Sequence, residues 1–397
     1  MTSSNASIRP LSDLCDIVIG RTPPRARKEY WSGPHRWLSI SDMGRSSRIV
    51  ETKETISAAG AQLFSERLVA PGTVLLSFKL SIGKVAIADV PLYTNEAIAA
   101  LPIKNKSQLI PAYLLRYLEF ADLVAGADRA AMGNTLNLAK LRSIGIPVVP
   151  IAEQHRIASI LDRADALRAQ RRRALALIDE YEKATFAAIT DDPFVSASSL
   201  PLKNLLLRID SGKSPICQDR PARNEEWGVL KLGAISSGEF VPQNNNKAIL
   251  PDSEPDGRHE VQPGDILFSR KNTLDLVGAS VFVDGTPPRM LLPDLIFRLV
   301  PDPSAPIRPR FLQRALAQPI TRERLRQLAG GSAASMSNIS KARLLEFSLR
   351  VPPLEAQIEF ENAARRVANI RAKQRGHLAK LDELFVSLQQ QLFEGRL

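Results

Sequence analysis

At 397 residues, 44% of them hydrophobic and 24% charged, the chain is long enough for two ordinary domains and too apolar to be disordered. Its 53 Lys and Arg against 42 Asp and Glu leave a net charge of +11, which suits a polyanionic partner and bears on solubility rather than fold. Two isolated cysteines, Cys15 and Cys217, exclude a disulfide framework or zinc site, and with no run of about 18 apolar residues and a polar start, MTSSNASIRP, the expectation is a cytoplasmic protein with no membrane partner.

Taken in order, LSDLCDIVIG runs into a basic, proline-punctuated loop carrying Arg21, Arg25, Arg27 and Lys28. Short apolar runs at strand-like spacing follow, WLSIS, TVLLSF, KVAIAD and AIAALPI, with the turn signal Pro71-Gly72 among them. PAYLLRYLEFADLV has helical spacing and opens on Pro111, a residue suited to a first helical turn. Gly133-Asn134-Thr135 breaks the chain before a long helix begins at Pro150. Residues 1–149 therefore read as a mainly β domain and 150–190 as a long helix.

The polar stretch DDPFVSASSLP marks a linker over 191–200, after which the pattern starts again. IDSGKSP (209–215) answers IVIGRTP (17–23), and VQPGDILFSRK (261–271) answers VAPGTVLLSFK (69–79), each 192 residues further on. WGVLKLGAIS answers WLSISDMG, VGASVFVD answers IGKVAIAD, and PRFLQRAL answers PAYLLRYL. A second globular part, 201–352, gives way to a second long helix, 353–397. There Pro353 and Gln357 repeat Pro150 and Gln154 (357 − 154 = 203). An unbroken repeat of this order predicts globular half, long helix, globular half, long helix.

Both helices carry apolar residues at 3,4 spacing: Ile157, Ile160, Leu167 and Ile178 in the first, Val367, Ile370, Leu381 and Leu384 in the second. Arg171 interrupts the first seam and Gln374 interrupts the second at the matching place. Such a seam predicts helices packed lengthwise, and an antiparallel pair about 50–60 Å long would separate the globular halves by more than one turn of B-DNA. Arg171 and Gln374 would then form a polar layer near a pseudo-two-fold axis; the alternative has Arg171 snorkelling to solvent. Arg163, Arg168, Arg171, Arg172 and Arg173 make a basic stretch, read either as a solvated face or as a contact for phosphates or an acidic partner patch. The expected fold class is α+β: two pseudo-repeated, mainly β domains separated by two long helices packed as an antiparallel coiled coil.

No catalytic constellation emerges. Base methylation needs a glycine-rich cofactor loop and an Asn/Asp-Pro-Pro-aromatic motif, and Pro23-Pro24, Pro287-Pro288 and Pro352-Pro353 lack the flanking residues. Glu51-Thr52-Lys53 has no Pro-Asp before it, and no Glu-x-Lys follows Pro251-Asp252, so the nuclease pattern fails too. Gly212-Lys213-Ser214 imitates the end of a phosphate-binding loop, but Leu207 stands where that loop needs glycine. His35, His155, His259 and His377 have no ligand spacing. No catalytic residue, metal ligand or cofactor is called for.

The order of parts, the VPIAEQ and PPLEAQ helix starts, the PGTVLLSFKLSIGKVAI and PGDILFSRK strands and the terminal LFEGRL together resemble the specificity subunits of type I restriction-modification systems, over essentially the whole chain. The resemblance implies a non-catalytic subunit whose two target-recognition domains each read one half of a bipartite site in double-stranded DNA. It further implies that the helices dock two methyltransferase subunits, and that a restriction subunit with translocase and nuclease activity joins that core. Glu355-Ala356-Gln357 departs from Ala152-Glu153-Gln154 at the first helix start. The rival readings are a partner-docking scaffold with incidental charge, and a fused restriction-methylation enzyme, which would need a catalytic module beyond these residues.

Base reading needs Arg, Lys, Asn and Gln presented on loops, with other basic and hydroxyl groups on phosphate. In the first half the candidates are Arg21, Arg25, Arg27, Lys28, Lys79, Lys84, Asn134 and Thr135. In the second they are Lys213, Gln218, Arg220, Arg223, Arg270, Lys271, Asn272, Ser335, Ser337 and Asn338, with Asn244-Asn245-Asn246 as a further polar cluster. Matching positions in both halves set these loop sets apart from ordinary solvated loops.

Overall fold

The computed structural model describes residues 7–44, 46–123, 128–130, 133–190, 197–223, 225–250, 255–330 and 337–394, and the chain divides into two compact units. The first comprises residues 1–172 and 376–397, the second 173–375. The division falls inside both long helices, Ile151–Thr190 and Leu354–Phe393, so each unit holds a segment of each. The class is α+β.

The first unit is built on a five-stranded sheet in the order Val18–Ile19, Ile98–Leu101, Val74–Ser77, Val85–Ala88, Arg48–Ile49. Its pairings are antiparallel except the last. Every residue of the three central strands is buried, because both faces of the sheet are covered. Val74, Leu76, Val85, Ile87, Ala99 and Leu101 face helix Pro111–Phe120 and the long-helix residues Ile157, Leu161, Phe385 and Leu392. Leu75, Ala86, Ala88, Ile98 and Ala100 face a second cluster with Leu38, Met43 and Leu92. This two-sided burial is why TVLLSF and KVAIAD read as continuous apolar runs instead of alternating ones.

The second unit repeats the plan with Leu206–Ser211, Ile296–Pro301, Ile266–Ser269 and Ser280–Phe282, all antiparallel neighbours. Ile266, Phe268, Phe297 and Leu299 face Phe311, Phe186 and Phe360, while Leu267, Val281 and Ile296 face the opposite cluster. Gly72 and Gly264 take φ of +84° and +98° in the turns that the two Pro-Gly pairs predict. Gly20 and Gly212 are glycine for another reason. A Cβ at Gly20 would stand 2.2 Å from the Asn95 and Thr94 backbone oxygens, and one at Gly212 1.6 Å from that of Leu292. The phosphate-loop mimic around Gly212 is thus a close backbone approach, repeated in both halves.

Each globular part is closed by pairing its first strand with the strand that leads into its long helix. Ser7–Pro10 pairs with Gly145–Val148, and Ser198–Pro201 with Ser348–Val351. Residues 198–200, read from composition as linker, therefore belong to a strand; four residues rich in serine carry too little period-2 signal to show it.

At each long-helix start a fully buried glutamine ties three segments together. The Gln154 side chain accepts from the Ile110 N–H (3.0 Å) and donates to the carbonyls of Gln108 (2.7 Å) and Val149 (2.8 Å). Gln357 accepts from the Arg308 N–H (2.8 Å) and donates to those of Pro306 (3.0 Å) and Pro352 (2.8 Å). Ile110 and Arg308 are the N-caps of helices Pro111–Phe120 and Pro309–Leu316, each of which starts on proline. The sequence register that pairs Gln154 with Gln357 is the register of this clamp.

Within each unit the two long-helix segments run antiparallel. In the first, Arg168 and Arg172 both reach Asp382 (2.7 and 3.2 Å), Arg168 lies 4.2 Å over the Phe385 ring, and Ile157 and Leu161 share a core with Phe385 and Leu392. In the second, Arg371 bridges Asp179 (2.8 Å) and Glu182, and Phe186 meets Phe360 edge-on at 5.2 Å. The 3,4 seam is only partly internal. Ile157 and Val367 are buried and Ile160, Ile178 and Leu381 half-buried, but Leu167, Ile370 and Leu384 are about half exposed. The helices pack on their sheets as well as on each other, so the buried stripe shifts to positions such as Ala158, Leu161, Phe360, Ala363 and Ala364. Arg171 and Gln374, both half-buried, fall on opposite sides of the unit division.

Replacing Gln154 with methionine keeps the volume but strands an N–H and two carbonyls, at about 1–3 kcal/mol per buried unsatisfied group. Gln154→Met and Gln357→Met should each lower the melting temperature markedly in thermal denaturation, by similar amounts; a negligible shift would show that the clamp is dispensable.

A candidate nucleic-acid interface

The sheet topology collects the candidate loops. In the first unit, strand Val18–Ile19 ends into the basic loop, its antiparallel neighbour Ile98–Leu101 begins at that same end, and Val74–Ser77 ends there into the hairpin over 78–84. Arg21 N–H donates to the Thr94 carbonyl (2.7 Å) and Phe78 N–H to that of Ala97 (3.0 Å), which seats both loops beside the strand start. The late turn joins them, because the Leu136 N–H donates to the Phe78 carbonyl at 2.9 Å. The second unit matches. Leu206–Ser211 and Ile266–Ser269 end where Ile296–Pro301 begins, Arg270 N–H donates to the Leu295 carbonyl (3.2 Å), and Ile339 N–H donates to that of Arg270 (2.8 Å). Three loop sets therefore converge at one end of each sheet.

Within that frame the candidate side chains divide into presented and committed groups. Arg21, Lys28, Lys213 and Arg223 are exposed. Lys79, half-buried, lies 5.2 Å from the Phe78 ring centre. Arg270, Lys271, Ser337 and Asn338 come together: Lys271 pairs with Asn338 and Asn272 with Ser337 in a two-stranded ladder, and Arg270 Nε reaches Asn338 Oδ1 at 3.3 Å. Asn134 and Thr135 lie on strand Gly133–Thr135, paired with Asp128–Ala130, and Ser335 lies outside the described residues.

The committed groups build the loops. Arg25 forms a two-point pair with Glu54 and lies 3.9 Å over the Trp31 ring, while Arg27 pairs with Glu29 at 3.2 Å. Lys84 donates to the carbonyls of Ile40 (3.1 Å) and Met43 (3.2 Å). Gln218 is half-buried and is held by its backbone, whose N–H donates to the Ala248 carbonyl at 2.8 Å. Arg220 binds Glu226 at two points, and this hydrogen bonding holds the Glu226 carboxyl at about 2, so the pair stays charged through neutral pH. Asn272, read as a base-contacting amide, is 8% exposed. Its amide nitrogen donates to the Ser269 hydroxyl (3.4 Å) and its oxygen accepts from the Thr273 N–H (2.9 Å), so it shapes the loop from inside. Asn245 and Asn246 likewise tie their own turn, to the carbonyls of Val241 (3.0 Å) and Pro242 (2.9 Å).

On the helices, Arg168 and Arg172 are engaged with Asp382, while Arg163 and Arg173 are exposed. Sequence reasoning missed the acid cluster around Arg116 and the partners of Arg371, because both depend on pairing between distant helices. Among the described residues no group of three or more His, Cys, Asp or Glu is arranged to hold a metal ion, and no helix is long and apolar enough to cross a membrane.

Residues 4–176 match the type I restriction modification DNA specificity domain. The chain is 33% identical over 159 residues to the Escherichia coli type I restriction enzyme EcoEI specificity subunit, covering 39% of this chain and 26% of that one. It is 25% identical over 246 residues to the MjaIX specificity subunit of Methanocaldococcus jannaschii, covering 59% and 53%. These matches span about a quarter and a half of the relatives' lengths. Over 99% of this chain and 97% of the other, the fold is similar to the crystal structure of a type I restriction-modification S subunit from M. genitalium, at a TM-score of 0.62 and 14% identity.

Asn272 is buried with its amide satisfied, so Asn272→Ala should destabilise the second unit by about 1–2 kcal/mol, the cost of removing a buried hydrogen-bonded side chain. Urea unfolding followed by fluorescence of Trp227, in that unit, measures it; an unchanged midpoint would place Asn272 outside the loop framework.

Proposed function

From the premise that the chain belongs to the family of type I restriction-modification specificity subunits, we propose that it reads a bipartite target in double-stranded DNA. One half-site would be read by the domain of residues 1–149 and the other by that of residues 201–352. The observation that carries this reading is the repeated convergence of three loop sets at one sheet end, with Arg21, Lys28 and Lys79 presented in one unit and Lys213, Arg223, Arg270 and Lys271 in the other. Affinity comes mainly from phosphate contacts and discrimination from the few base-edge contacts each loop set makes. The chain performs no catalysis; its partners supply the chemistry.

The long helices are the docking element in this proposal. Leu167, Leu384 and Val386 in the first unit and Leu177, Tyr181, Ile358 and Ile370 in the second are exposed apolar side chains on those helices, the kind of surface that marks a protein contact. Two methyltransferase subunits bind there, one per unit, and a restriction and translocase subunit joins that core when present.

Lys271 is the most direct probe, since it sits in the ladder with Asn338 and is half-buried beside the second unit's loops. A lost base contact costs about 1–3 kcal/mol of discrimination. Lys271→Ala should therefore relax base preference roughly tenfold at one half-site, with the other unchanged, when the chain and its methyltransferase partner select from randomised duplexes. Equal loss at both half-sites would contradict the assignment.

A further inference from the structure

The internal repeat supplies its own control for one buried arginine. Helices Pro111–Phe120 and Pro309–Leu316 are equivalent and pair Arg116 with Arg314 (314 − 116 = 198). Arg116, 4% exposed, is neutralised by Glu119 and Asp162, both at 2.8 Å, and by Asp165 at 3.3 Å. In the second half Glu119 is matched by Ala317, at the same 198-residue offset, and Asp162 and Asp165 by Arg365 and Ala368, at the 203-residue helix offset. All three acids are gone. Both alanines line a cavity of about 570 Å³ in the second unit, and Arg314 lines it too.

Among the described residues no carboxylate lies within hydrogen-bond or ion-pair distance of the Arg314 guanidinium, and the acids that bear on it from further away are engaged elsewhere. Asp179 and Glu182, whose charges bear on Arg314, are both held by Arg371. The other acids lining the cavity, Asp284 and Glu239, are paired with Arg310 and Arg375. Arg314 and Arg322 each keep a buried Nε without a hydrogen-bond partner among the described residues. Ser280, 1% exposed, lines the same cavity with a hydroxyl that likewise has no such partner. Burial lowers the affinity of both guanidiniums for their protons, the cost of holding charge away from water. Arg322 Nη2 donates to the Asp275 carbonyl (3.0 Å), and an anion bound in the cavity that both arginines line relieves the remaining cost. The volume is within the range of small-ligand sites, about 300–1,000 Å³. Guanidinium forks set beside a hydroxyl suit an anion with several oxygens in different directions, which a phosphate offers and a lone carboxylate does not.

We propose that this cavity binds a small phosphate-bearing anion of the diphosphate class, received by Arg314, Arg322 and Ser280. In the first unit the equivalent Arg116 is neutralised by its own three carboxylates and is not offered to an anion.

Isothermal titration calorimetry of the full chain at low salt, with inorganic pyrophosphate and with ADP as probes, tests the site. The expected result is one saturable site for both probes. Tighter binding of ADP would identify a nucleotide as the natural occupant, and equal binding an inorganic or otherwise bare phosphate. The paired change Ala317→Glu and Ala368→Asp reinstates acids of the first half; it should weaken pyrophosphate binding at least tenfold and abolish the rise in melting temperature that pyrophosphate gives the unaltered chain. Arg314→Gln should weaken binding similarly, and serves should the paired variant fail to fold. Absence of saturable binding to the unaltered chain, or binding that survives these substitutions, would overturn the proposal.

Discussion

The structure depends on a buried primary amide used twice. Gln154 and Gln357 each satisfy one N–H and two carbonyls that belong to a loop, a short-helix cap and the last residues before a long helix. Only a primary amide offers a neutral acceptor and two donors at its tip, and asparagine, which shares it, is one methylene shorter. Both glutamines are fully buried, so bulk water does not reach these groups, and each one left unsatisfied costs about 1–3 kcal/mol. Each long helix therefore leaves its globular part in a fixed direction, set by hydrogen bonds as well as by apolar contact.

With that end of each unit fixed, the other end is left to vary. Strand Ile98–Leu101 begins among the loops and leads on towards the Ile110 cap, and Ile296–Pro301 leads in the same sense towards Arg308. The loops hang on strand ends through backbone hydrogen bonds, such as Leu136 to Phe78 and Ile339 to Arg270, and are shaped by side chains of their own, among them Arg25 on Glu54 and Asn272 on Ser269. Loops carried on the ends of a buried sheet accept changes at their exposed positions without disturbing the core. Several of the basic side chains are meanwhile spent on architecture: Arg25 on Glu54, Lys84 on two carbonyls, Arg220 on Glu226 and Arg168 on Asp382.

The repeat was legible in the sequence because its markers have strict physical duties. Gly72 and Gly264 adopt positive φ, Gly20 and Gly212 admit a neighbouring backbone, Pro111 and Pro309 open helices, and the two glutamines bind backbone. Both long helices begin one residue after the prolines that announced them. The seam was less legible. Period alone does not show that a helix must also cover a sheet, so Leu167, Ile370 and Leu384 face outward where a two-helix pattern turns them in. Loop residues were least legible of all: Asn272 and Arg223 look alike as polar loop residues, yet one is buried in its own loop and the other exposed. The replacement of Glu119, Asp162 and Asp165 by Ala317, Arg365 and Ala368 was visible to a comparison of the two copies, but its consequence for Arg314 needed the fold.

The central claim is that two units of one chain read two separate pieces of DNA sequence. The direct measurement is to co-express the chain with the methyltransferase subunit proposed as its partner and map methylated adenines by long-read sequencing, then repeat it after exchanging residues 1–149 for those of a relative with a different target. The account predicts a split motif with a fixed unread gap, of which the exchange rewrites one half and leaves the other. A continuous motif, or an exchange that alters both halves together, would contradict it.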